Sequence, residues 1–160
     1  MGLFSGLFGG NSNSVCDVET EYRGLLDSVE CLARVGAEYG QYQGFFMMVK
    51  CQKDQVIIVL KVEFGDHLKW LQRNPDCLAP SLQRKGITQS EFEFLMNNIR
   101  IKSEDERHDI GEAQISDRLK SPKHSKAVYE ALKSRLLNIK HTTHSTDEKS
   151  GEYTIFLHDE

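Results

Sequence analysis

Residues Phe45 to Phe64, FFMMVKCQKDQVIIVLKVEF, constrain what this chain can fold into more than any other stretch. Two apolar runs flank a polar break, and both are too short and the second too β-branched for one helix. The block therefore predicts adjacent antiparallel strands, Phe45 to Val49 and Val56 to Phe64, turning near Lys53-Asp54. The second strand is apolar at both parities until Lys61. A strand of that kind is covered on both faces and lies centrally in its sheet, which makes Val59 an expected core residue.

Around the hairpin the pattern is helical. Val18, Tyr22, Leu25, Leu26, Val29, Leu32 and Val35 follow Asp17, a good N-cap, at helical spacing, and the helix is expected to end near Gly36 or Gly40. DHLKWLQ, from Asp66 to Gln72, reads as a short helix stopped by Asn74-Pro75, and an irregular connection runs on to Gly86. Thr88-x-x-Glu91 is a capping box ahead of the apolar face of Phe92, Leu95, Met96 and Ile99. Ser103-x-x-Glu106 repeats the cap before a charged stretch with Ile110, Ile115 and Leu119, read as a further helix. Ser121-Pro122 opens a last helix with Val128, Leu132 and Leu136 on its buried side. Leu137, Ile139 and His141 then alternate with polar residues, and after a turn-rich stretch EYTIFLH supplies the second strand of another hairpin.

The expected fold class is α+β, with an antiparallel sheet built from two β-hairpins packed against about four helices in the order α-β-β-α-α-α-β-β. At 160 residues one domain is the default. Residues 1–14 read as a flexible Gly/Phe tail running into the small polar residues Asn11 to Ser14, and residues 15–160 as the domain.

Catalytic signatures are sparse. There is no Gly-rich phosphate loop with its Lys, no G-x-S-x-G and no H-E-x-x-H, so no cofactor or metal is expected. Cys16, Cys31, Cys51 and Cys77 lack C-x-x-C spacing and read as reduced thiols, which with no signal-like leader and no membrane-length apolar run points to a cytoplasmic protein. Two histidines are the candidates for acid-base chemistry, His108 beside Glu106 and Asp109, and His141. His141-x-x-His144 is also the one close pair that a turn or helix would aim at a single metal ion. In the tail, Leu3, Phe4, Leu7 and Phe8 share one side of a short helix and suit a membrane surface or a partner's groove. The first 22 residues hold no Lys or Arg to assist binding to anionic lipid.

Charge is the remaining lead. Between Lys120 and Lys140 six basic residues stand against Glu130 alone, although the whole chain carries a formal charge of −4. Lys123, Lys126 and Lys133 form a basic stripe, whereas the first helix is acidic through Glu19, Asp27 and Glu30. The stripe lacks interleaved aromatic residues for base stacking, which argues against nucleic acid and for a protein partner, a basic one if the acidic set does the binding. The expectation from sequence is a non-enzymatic interaction protein of the immunity, chaperone-like or anti-defence type, by analogy of size and charge. A membrane-peripheral adaptor working through residues 1–10 and a small hydrolase or nuclease with a dispersed His/acid site are the alternatives, and self-association into a homo-oligomer is open.

Overall fold

The computed structural model describes residues 14–53, 55–77, 80–84, 86–115 and 124–158. Its centre is the expected hairpin. Strands β1 (Phe46–Cys51) and β2 (Val56–Lys61) pair antiparallel, Met48 opposite Val59 and Lys50 opposite Ile57. They occupy the middle of a six-stranded antiparallel sheet of order β3-β4-β2-β1-β6-β5, completed by β3 (Ile99–Asp105), β4 (Ile110–Ile115), β5 (His141–Asp147) and β6 (Glu152–His158). The protein is thus α+β. Its sheet holds three hairpins rather than two, because the charged stretch read as a helix from Ser103 onward is the β3–β4 hairpin. The turn between these strands is closed by Asp105, which accepts a hydrogen bond from the Arg107 backbone N–H at 3.1 Å, and by Asp109 in the left-handed region at φ 56°.

Six helices among the described residues lie on one face of this sheet: α1 (Ser14–Glu21), α2 (Arg23–Gln43), α3 (Val62–Arg73), α4 (Pro80–Arg84), α5 (Gln89–Asn98) and α6 (His124–Leu136). Helix α2 runs straight through both glycines at which a stop was expected. A Cβ on Gly36 would stand 2.6 Å from the Phe45 ring, and one on Gly40 would stand 2.3 Å from the Phe45 Cβ. These glycines admit the aromatic side chains that join α2 to β1 and α3, and the helix stops instead at Gly44, with φ 79°. Helix α3 begins at Val62, which shortens the preceding strand to end at Lys61. The capping box of α5 is formed as its spacing predicts, with Thr88 and Glu91 exchanging hydrogen bonds at 3.1 and 2.9 Å.

The core is the layer between helices and sheet. Met47, Val49, Cys51, Ile58, Leu60, Ala113, Ile155 and Leu157 project into it from the strands, and Leu25, Leu26, Val29, Leu32, Phe64, Leu68, Phe92, Leu95, Val128 and Leu132 meet them from the helices. Alternation decides which strand residues take part, so Ile58 and Leu60 are buried while Ile57 and Val59 point to the other side. Val59 is therefore half-buried on the opposite sheet face rather than in the core.

Candidate interaction surface

The outward sheet face assembles from the residues of the other parity. Strand register places Met48 between Val59 and Phe156, and Lys50 between Ile57 and Thr154. Phe46 lies opposite His158, which lies opposite His141 on β5. Phe46 and Phe156 pack edge to face with ring centroids 4.7 Å apart; Phe156 and His158 do the same at 5.3 Å, and His158 stacks on His141 at 5.9 Å. The middle of this face is consequently apolar and aromatic, made of Phe46, Met48, Ile57, Val59 and Phe156, each half-buried only by its neighbours. Among the described residues every helix packs on the opposite face. A polar surround of both signs encloses the patch, with Lys50, Lys61 and Arg100 against Asp105, Glu112, Asp147 and Glu152. Arg100 donates a 3.4 Å hydrogen bond to Gln114, whose own amide donates to Gln55.

The residues singled out by charge come together in an unforeseen way. Helix α6 packs across α1 and α2, and its Arg135 gathers the whole acidic set: Glu19 at 2.7 Å, Asp27 at 2.7 Å and Glu30 at 3.1 Å. Only 18% of the Arg135 side chain is exposed. Burial of the guanidinium works against its charge, but hydrogen bonds to Glu19 and Asp27 outweigh it and hold the group protonated even more firmly than usual. Glu30 also binds Arg34 at 2.8 Å. The sequence polarity thus runs inward, acidic helices facing a basic one. In the basic stripe, Lys126 binds Glu148 at 3.1 Å and Lys133 binds Glu130 at 3.3 Å while lying over the Tyr129 ring, and Lys123 lies outside the described residues.

The histidine candidates do not converge. His108 Nδ1 sits 2.7 Å from Asp105 Oδ2 on the β3–β4 turn, where the hydrogen bond from His108 holds the Asp105 carboxyl below the usual carboxylate range. Both side chains stand in solvent, His108 being 67% exposed. His141 and His144, three residues apart on a strand rather than on a turn, point to opposite sheet faces, His141 towards the aromatic patch and His144 against Tyr129 of α6. They cannot share one ion. Among the described residues no group of three His, Cys, Asp or Glu side chains is placed to hold a metal. Leu3, Phe4, Leu7 and Phe8 lie outside the described residues. No described helix is long and apolar enough to cross a membrane.

No family model matches the chain, and comparison with curated proteins and with solved structures finds no match.

Proposed function

We propose that the protein is a non-enzymatic interaction module that binds a protein partner, to neutralise or escort it, through the outward face of its sheet. The observation that carries this is the mismatch between strands and cover. β2, and β1 as far as Met48, are apolar at both parities and β6 adds Phe156 beside them, yet among the described residues the helices cover one face only. A half-covered antiparallel sheet ordinarily shows water a polar face, and a contiguous apolar patch framed by charge is what docking surfaces present. The frame has both signs, which suits a folded protein with its own mixed rim better than a polyanion.

Magnitudes set what that partner must offer. If docking removes roughly 200 Å² of apolar surface from these five side chains, the gain is about 5 kcal/mol at 25 cal/mol per Å². Association itself costs on the order of 4–15 kcal/mol, so the patch anchors a complex but does not hold it alone. The partner must also meet the rim, and binding should soften with salt. The deciding experiment is co-purification from the native host with the wild-type chain and with Met48→Lys and Phe156→Lys. A protein retained by the wild type and lost from both variants, at unchanged melting temperature, is the expected result. Equal retention by all three would remove the sheet face from the function.

A further inference from the structure

The sheet has two edges, and they are treated differently. β3 is guarded: its register shifts between Ile101 and Ser103, it carries Arg100, Lys102, Glu104 and Asp105, and Lys69 of α3 reaches over to Glu104. A bulge and dense charge are the usual devices that stop an edge strand from recruiting another. β5 has neither. All seven residues from His141 to Asp147 pair with β6 in unbroken register, all but Thr142 are exposed, and apart from the two histidines Asp147 at the end is its one ionisable residue. Among the described residues no strand lies beyond it. From Thr142 to Asp147 no described strand pairs with its outer backbone groups.

We propose that β5 pairs antiparallel with β5 of a second copy of this chain, about a two-fold axis at His144. The sequence HTTHSTD is complementary to its own reverse in that register. Thr142 falls opposite Thr146 of the partner subunit, Thr143 opposite Ser145 of the partner subunit, and His141 opposite Asp147 of the partner subunit. Cross-strand Thr–Thr and Thr–Ser pairs are among those that favour antiparallel association, whereas a register slipped by one residue would break each of these pairs. A self-complementary patch is what a two-fold interface requires, since each residue meets its pair twice. The axis stands perpendicular to the sheet, so the two sheets become continuous and both outward faces open on the same side. This pairing does not depend on what those faces bind.

The test uses repulsion and its relief. Thr143→Lys/Ser145→Lys places like charges directly opposite each other twice across the axis, as does Thr143→Glu/Ser145→Glu, while an equimolar mixture of the two places opposite charges there. Both positions are exposed and on the sheet face away from the helices, and circular dichroism melting confirms the fold of each variant. Sedimentation velocity should give the wild type at twice the 18.3 kDa chain mass, each double variant at the single-chain mass, and the mixture at twice it again. A wild type at the single-chain mass at its highest soluble concentration overturns the proposal. So does a wild-type dimer that both double variants retain, which would place the contact on another surface; Met48→Lys and Phe156→Lys, in the sheet face, should leave the mass unchanged.

Discussion

Replacing Arg135 by Met tests whether the charge polarity is an internal latch. Met keeps most of the aliphatic stem that α6 lays on α1 and α2, so the change isolates the guanidinium. It strands Glu19 and Asp27 around an apolar side chain and leaves Glu30 with Arg34 alone. Breaking a fully buried ion pair costs about 3–5 kcal/mol, and an exposed pair is worth about 0–1 kcal/mol. Here the cation is 18% exposed and its carboxylates 37%, 46% and 25%, which places the loss between those limits, at about 2–3 kcal/mol. For a chain of this size that corresponds to a fall in melting temperature of about 5–10 °C. Urea denaturation measures the free energy, with the m-value reporting whether the unfolded state has changed. The refinement is a background of Glu19→Gln, Asp27→Asn and Glu30→Gln. If the cost comes from uncompensated carboxylates, Arg135→Met should be nearly neutral there. A full-sized loss in both backgrounds would mean that packing of α6, and not charge, is what Arg135 supplies; no loss in either would remove the latch altogether.

Three further outcomes follow from burial, glycine packing and titration. Ile58→Ala, at a fully buried site, should cost about 2–4 kcal/mol in urea, whereas Val59→Asp on the outward face should lower stability less and weaken partner retention more. Gly40→Ala should destabilise by about 2 kcal/mol despite the better helix former, because its Cβ would meet the Phe45 Cβ and backbone, and Gly36→Ala should be milder since it meets ring atoms that can shift. The Glu148 carboxyl is held below its usual range chiefly by the hydrogen bond from Lys126, so an NMR titration should find it low and Lys126→Gln should raise it. A carboxyl lowered in the folded state adds stability above its unfolded pKa and loses it as pH falls through the lowered value, so that acid-side loss should shrink in the variant.

The hairpin of β1 and β2 was legible because its two apolar runs admit one pairing, and α5 because Thr88 and Glu91 carry a cap that local chemistry alone completes. What misled was chemistry whose meaning is tertiary. Ser103-x-x-Glu106 has the spacing of a capping box, yet Ile99 and Ile101 ahead of it alternate, and the outcome was settled by β4, which needed a partner at its free side. Gly36 and Gly40 look like helix stops until Phe45, just beyond the end of α2, is placed against them. His141 and His144 look like a chelating pair only while the segment is taken as a turn.

The same reasoning explains why the surface was harder to read than the core. Two-sided apolarity in Val56 to Leu60 says that both sheet faces disfavour water, and it locates the strand centrally, but it cannot say what supplies the second cover. Charge in the sequence likewise counts signs without showing which side chains end up within reach of one another. Arg135 engages Glu19, Asp27 and Glu30 within the molecule, and among the described residues nothing covers the apolar surface between β2 and β6. On the proposed reading, a short-range contact takes the place of long-range charge as the basis of recognition. The two differ in their kinetics. If the face anchors the complex, Phe156→Lys should act mainly on the dissociation rate, whereas reversing Lys126 and Lys133 to Glu should leave both rates within a factor of about two. A large drop in association rate from the lysine variant, with Phe156→Lys silent, would return recognition to the charged helices.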